Sequence, residues 1–204
     1  GPILNSDVLA TMKEAYPTCK NLLETCYSTG TIEDCSNADN YCFDNYYLPF
    51  AENLNCSMDD IRAEIGSGPS EDYLNYLSKP EVLKAIVIID HFLNFKINSP
   101  RTYLPELSEI VGKGIRTLLY HGDADADCDW IGGLNVSNSI KWNNQKNFNS
   151  APFRDFIANN GTAGQIKSSN CLTYVKIHQA GHEVPFYQPQ NSLIMFTRWI
   201  KGTL

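Results

Sequence analysis

The sequence predicts an α/β fold whose working edge lies at the carboxyl ends of two strands, and three observations carry that prediction. Residues 115–120 form a short aliphatic and β-branched run, preceded by Gly112 and Gly114 and followed by Asp123, Asp125 and Asp127, which reads as a buried strand ending in an acidic loop. Residues 172–178 form a second such strand, followed by the turn Gln179-Ala180-Gly181-His182-Glu183-Val184-Pro185. The chain closes on residues 190–201, where Leu193, Ile194, Phe196, Trp199 and Ile200 keep the spacing of one helical face. In open α/β sheets, catalytic side chains gather at the carboxyl edge. An Asp loop followed by a His loop is the latter part of a nucleophile–acid–base triad in the chain order Ser, Asp, His.

The remaining elements follow in order. In residues 3–60, Val8, Leu9, Met12 and Ala15 have helical spacing, with Asn5 or Ser6 available as the cap. A second helical piece runs through Cys19, Leu22, Leu23 and Cys26 until Gly30 ends it. Cys19, Cys26, Cys35 and Cys42 are spaced symmetrically, so a nested pairing would staple a helical hairpin. Four cysteines nevertheless allow three pairings. The Gly66-Ser67-Gly68-Pro69-Ser70 stretch is a loop, and residues 71–78 and 80–86 read as two short helices, Pro80 opening the second. Beyond His91, read as structural, Pro100 leads to a helix over 104–111. A further helix starts at Trp130. Residues 153–158 and 164–168 then alternate as strands, with Asn159-Asn160-Gly161 as the turn.

Composition narrows the function. The 204 residues are 43% hydrophobic and 19% charged, and 23 acids against 16 bases give a net charge of −7 without a Lys/Arg cluster. Nucleic acid is therefore not an expected partner. The longest apolar stretch, residues 85–89, is too short to span a bilayer, and no signal peptide precedes it. Gly1-Pro2 reads equally as native sequence or as a protease scar. Seven cysteines and the sequons at Asn55, Asn135 and Asn160 point to the secretory route, hence to a secreted or vacuolar/lysosomal glycoprotein. The alternating Asp123, Asp125, Asp127 and Asp129 suggest calcium, but an EF-hand needs glycine and glutamate where this loop has Cys128 and Leu134. Neither a metal nor a cofactor is expected.

Tyr120-His121-Gly122-Asp123-Ala124-Asp125 with Cys128 and Trp130-Ile131-Gly132-Gly133, then Ala180-Gly181-His182-Glu183-Val184-Pro185 with Gln188-Pro189, resemble the Asp and His motifs of the serine carboxypeptidases. Those are α/β-hydrolases that release C-terminal amino acids from peptides. The resemblance implies the C-terminal part of an α/β-hydrolase sheet (residues 79–204) with a disulfide-stapled helical cap insertion (residues 1–78) that shapes substrate access. It implies Asp125 and His182 as catalytic residues and Cys128 as an unpaired thiol beside the substrate pocket. Glu183 and Phe186 become candidates for the leaving-group wall, and the nested disulfides Cys19–Cys42 and Cys26–Cys35 are implied as well. Cys56 and Cys171 are left to pair with each other or with the absent half, and an odd cysteine count leaves one thiol free or interchain.

Two departures qualify the match. The connection over residues 90–113 is shorter than the family's and lacks its cysteine and Gly-Asp segment. No Gly-x-Ser-x-Gly elbow occurs anywhere. In the family the elbow and oxyanion hole lie upstream of the cap, where this chain begins. The expectation is that the nucleophilic serine resides in a missing N-terminal half or second chain, and that this chain alone is inactive. Acyl transfer or lyase chemistry on the same scaffold, or a secreted binding module that has lost its nucleophile, are the alternative functions.

Overall fold

The computed structural model describes residues 2–68, 72–85 and 100–204. Residues 69–71 and 86–99, including His91, the start of the helix expected at 71 and the end of that expected at 80–86, lie outside the described residues.

The chain divides into two compact units. The first comprises residues 1–55 and 69–102, the second residues 56–68 and 103–204. Residues 56–68 group with the strands, because their backbone bonds to the loops beyond them. Ile61 N–H donates to Ala124 O at 2.9 Å and Ala126 N–H to Met58 O at 3.0 Å.

In the first unit, α1 (Ser6–Thr29) and α2 (Ile32–Cys42) form a hairpin. The two helical pieces expected before Gly30 are one helix, which continues through Pro17. Met12, Ala15, Cys19 and Cys26 make one buried stripe across that proline, so packing overrides the lost backbone hydrogen bond. Asn5 Oδ1 caps the start by accepting from the Asp7 and Val8 amides, and Gly30 closes the end in the left-handed region at φ 63°. Cys19 bonds Cys42 and Cys26 bonds Cys35, clamping the hairpin at two levels. A single π-helical turn (Phe43–Tyr47) leads into α3 (Leu48–Glu52). Two short helices, α4 (Asp72–Leu77) and α5 (Pro80–Ala85), complete the described part.

In the second unit, α6 (Leu104–Gly112) precedes β1 (Thr117–Gly122). Next come α7 (Trp130–Ser139), α8 (Gln145–Ser150), β2 (Arg154–Ala158), β3 (Gly161–Ser169) and β4 (Leu172–Ile177). A short α9 (Val184–Tyr187) and the closing α10 (Pro189–Lys201) end the chain. The sheet order is β1-β4-β3-β2, with β1 parallel to β4 and the other pairs antiparallel.

Both faces of the sheet are covered, and β4 shows why its sequence is apolar almost throughout. Leu172 and Tyr174 pack with Val111, Ile140 and Phe148 on one face, whereas Val175 and Ile177 pack with Val184 and Met195 on the other. The period-2 alternation sends successive side chains to opposite layers, each helix-covered. Asn159 and Asn160 take φ 49° and 63° in the β2–β3 turn, the left-handed pair that a two-residue hairpin favours. Cys56, Cys128 and Cys171 are free thiols, so the pairing of Cys56 with Cys171 left open by the sequence is not made. The Cys171 sulfur is buried and lies 3.4 Å from Val111 O.

Candidate active site

Because β1 and β4 are parallel neighbours in register, with Gly122 opposite Ile177, the loops that follow them leave the sheet at the same edge. The two loops then bond to each other. Asp123 N–H donates to Ile177 O at 3.0 Å and Ala124 N–H to Ala180 O at 2.9 Å. Gly122 permits this approach: a Cβ there would stand 2.2 Å from Ala180 O.

At their meeting point His182 Nδ1 lies 3.0 Å from Asp125 Oδ2. The other carboxylate oxygen, Oδ1, accepts the Asp127 amide at 2.9 Å and the Cys128 amide at 3.0 Å. The Asp125 side chain is 3% exposed and that of His182 36% exposed. The carboxylate is therefore buried, fixed at both oxygens and aimed at the ring nitrogen, while the imidazole faces outward. Partial burial opposes charge on His182, but the hydrogen bond that its ring donates to Asp125 and the nearby Asp125, Asp127 and Glu183 carboxylates outweigh it and raise its pKa.

The neighbouring expected residues are placed as follows. Cys128 is exposed, and its sulfur, an Asp127 oxygen and a His182 nitrogen lie within 4.8 Å of one another, the group of donors that could hold a cation among the described residues. Burial, and then the Asp127, Asp125 and Asp129 carboxylates, push the Cys128 thiol up, and burial does the same to the Asp127 carboxyl. Glu183 follows His182 with one carboxylate oxygen, Oε2, buried and without a hydrogen-bond partner, as is the Tyr187 hydroxyl. Phe186, on α9, is 53% exposed and sets its ring edge-on to Tyr187 at 5.0 Å. Asn55, Asn135 and Asn160 are all exposed.

Sequence reading missed two contributors. His121, on β1, stacks on Tyr174 with centroids 5.7 Å apart, and the Tyr174 hydroxyl donates to Trp130 O at 2.5 Å. Burial lowers the His121 pKa. The other is the segment Ser57 to Ala63: its Asp59 carbonyl accepts the His182 amide at 2.7 Å. Neither stands out in sequence, His121 because it lies inside a strand and Asp59 because it acts through its backbone.

Fold and site together define an α/β protein that presents a buried carboxylate and an outward imidazole at the carboxyl edge of a mixed sheet. The chain belongs to the serine carboxypeptidase family, whose model matches residues 4–202. It is 32% identical over 211 residues to carboxypeptidase S1 of Penicillium janthinellum, covering 98% of this chain and 50% of that protein. It is 35% identical over 217 residues to carboxypeptidase Y homolog A of Leptosphaeria maculans, covering 98% of this chain and 40% of that protein. The chain thus spans half or less of the length of these relatives. Its fold is similar to that of Kex1(delta)p, a prohormone-processing carboxypeptidase from Saccharomyces cerevisiae, with TM-score 0.63 and 20% identity over 94% of this chain and 47% of that one.

Proposed function

We propose that this chain supplies the catalytic Asp and His of a serine-type carboxypeptidase, the nucleophilic serine being carried by an N-terminal half or a second chain. The observation that carries the reading is the Asp125–His182 contact of 3.0 Å with both Asp125 oxygens occupied. A carboxylate so held makes Nδ1 the protonated ring nitrogen and leaves Nε2 free to act as base.

In this mechanism the serine hydroxyl adds to the scissile carbonyl of the C-terminal peptide bond as His182 Nε2 takes its proton. The imidazolium, stabilised by Asp125, then returns that proton to the departing amino acid. Water repeats the cycle on the acyl-enzyme, and the serine hydroxyl is restored. Asp125 does not itself become protonated; it orients the ring.

Two structural facts support a complementary part. Among the described residues β1 pairs only with β4, leaving its other edge open. Exposed apolar side chains also occur on helices from both layers, Ile131 and Val136 on α7 and Phe196 and Ile200 on α10. An open strand edge bordered by apolar surface favours continued pairing. The sequons and clamped disulfides support a secretory-route location, and no described helix is long and apolar enough to cross a membrane.

A serine-reactive fluorophosphonate applied to native material tests the proposal. Labelling of a polypeptide that co-purifies with this chain, or of an N-terminal extension of it, together with release of C-terminal amino acids, is the expected result. A properly folded protein that takes no label and releases none overturns it.

A further inference from the structure

The contact between His182 and Asp125 brings together two loops from different strands, and the segment at residues 57–63 touches both. Its backbone brackets the carboxylate: Ile61 N–H donates to Ala124 O at 2.9 Å, and Ala126 N–H donates to Met58 O at 3.0 Å. It also holds the histidine directly, Asp59 O accepting the His182 amide at 2.7 Å. The fit at that point is close. A Cβ on Gly181 would stand 2.2 Å from Asp59 O and 2.9 Å from Asp60 Cβ, so only glycine lets the His loop reach the strap.

The strap's own shape rests on Asp60 and Arg62. Asp60 is 2% exposed. Its Oδ1 accepts the Arg62 amide at 3.0 Å and Arg62 Nε at 2.8 Å, and its Oδ2 accepts Arg62 Nη2 at 2.5 Å. Ser57 N–H to Ala63 O and Ala63 N–H to Asp60 O, both 2.9 Å, close the turn around this pair. The remaining guanidinium arm, Nη1, donates to Gln179 Oε1 at 2.8 Å. Gln179 stands at the end of β4 with φ 58°, its amide donating to Asp123 Oδ1 at 2.8 Å. One planar cation thereby fastens the strap to the point where the Asp and His loops diverge. An Arg fork can serve both partners at fixed angles, which a lysine cannot.

We infer that Asp60 and Arg62 are positioning residues, which shape residues 57–63 into a brace that sets the His182 ring against Asp125. The inference rests on the catalytic reading above for its purpose, but not for its geometry. A buried carboxylate robbed of its cation is costly to keep in place. Loss of the pair should therefore loosen the brace and with it the Nδ1–Oδ2 contact, while the covered sheet persists.

The test follows the imidazole itself in native protein carrying labelled histidine. The groups that face His182 are Asp125, Asp127 and the Cys128 thiol from the loop after β1, Glu183 on its own loop and His121 on β1. In the unaltered protein a low-field Nδ1 proton and a His182 pKa above the ordinary histidine value are expected. Arg62→Gln should abolish or broaden that proton signal and lower the His182 pKa. It should also reduce kcat at least tenfold in the complete enzyme with KM little changed, and Arg62→Lys should restore part of each effect. Should Arg62→Gln not fold, Gln179→Asn decides. Asparagine keeps the left-handed turn but is too short for Nη1, and smaller shifts in the same direction are expected. A folded Arg62→Gln or Gln179→Asn protein whose Nδ1 proton and His182 pKa are unchanged overturns the inference. These readouts need no turnover. An imidazole that responds in a preparation that also contains the serine-bearing part, yet shows no peptidase activity, leaves the brace standing and removes the catalytic reading instead.

Discussion

Gly133 on α7 is the seat of the His121 ring: a Cβ built on Gly133 would fall 2.2 Å from His121 Cε1. The imidazole is thus wedged between the α7 backbone and the Tyr174 ring. A methyl group here must push either the helix or the strand. Gly133→Ala is expected to destabilise the protein by about 1–3 kcal/mol through overpacking, despite alanine's better helix propensity. Urea denaturation reads this as a lower midpoint with an unchanged slope, whereas an alanine variant as stable as the parent refutes the wedge.

The two histidines at this edge are predicted to shape stability in opposite senses. Burial lowers the His121 pKa, so its contribution is fully present above the ordinary value of 6.5 and is lost as pH falls from there through the folded value. The His182 pKa is raised, so its contribution is fully present below 6.5 and is lost as pH rises through its folded value. Between them they place a stability maximum near the shared ordinary value. In denaturation midpoints measured from pH 5 to 8, His121→Gln should flatten the acid side and His182→Gln the alkaline side. Identical profiles for both variants and the parent would refute the assignment.

Much of this edge was legible in the sequence, and the rest was hidden for physical reasons. The parallel strands behind Asp125 and His182 announce themselves by mainly apolar runs that stop at polar turns, because strands packed between helical layers turn few positions to solvent. Helix ends were legible where side chains or glycine do the capping, as at Asn5 and Gly30. Continuity through Pro17 was not, since a proline argues locally for a break and only the buried stripe that spans it argues otherwise. The brace was not legible either. Met58 O, Asp59 O and Ile61 N–H act through the backbone, which leaves no residue-type signature, and the Arg62–Gln179 bond joins positions 117 residues apart. Of its members, only the buried Asp60–Arg62 pair could have been suspected, as a carboxylate and a guanidinium two residues apart beside a breaker.

The catalytic assignment predicts a steep loss for either partner. Asp125→Asn keeps the shape but presents an amide to Nδ1, which frees the ring to take the wrong tautomer. His182→Ala removes the base. In an enzyme completed by the serine-bearing part, Asp125→Asn should lower kcat by on the order of 10⁴-fold and His182→Ala by on the order of 10⁶-fold. Because the two act as a unit, the double variant should be scarcely worse than the weaker single one. Peptide hydrolysis within tenfold of the parent in either variant refutes the role.

Glycosylation offers a check on the secretory route. Asn55, Asn135 and Asn160 are exposed, on a loop, on α7 and in the β2–β3 turn respectively. Protein made by its natural host should lose the mass of N-glycans on treatment with peptide:N-glycanase, and each Asn→Gln change should remove one glycan. An intact mass equal to that of the bare polypeptide would contradict a passage through the secretory pathway.

On the proposed function, Cys128 should make the completed enzyme sensitive to mercurials far more than to alkylating agents. The residue is exposed and its partly desolvated sulfur shares a 4.8 Å cluster with His182 and Asp127, so a metal-bearing group bound there crowds the imidazole. Alkylation needs the thiolate, and burial together with the surrounding Asp127, Asp125 and Asp129 carboxylates holds the thiol protonated above the usual range. Mercury binds sulfur tightly enough to displace that proton, whereas iodoacetamide must wait for it to leave. Cys171 is buried and Cys56 half-buried, so neither competes well for the reagent. A stoichiometric mercurial should therefore abolish peptidase activity at neutral pH, and thiol should restore it. Iodoacetamide should act slowly and faster as pH rises, and Cys128→Ser should resist both. Inhibition of the serine variant to the same extent as the parent would move the sensitive thiol elsewhere and detach Cys128 from the site.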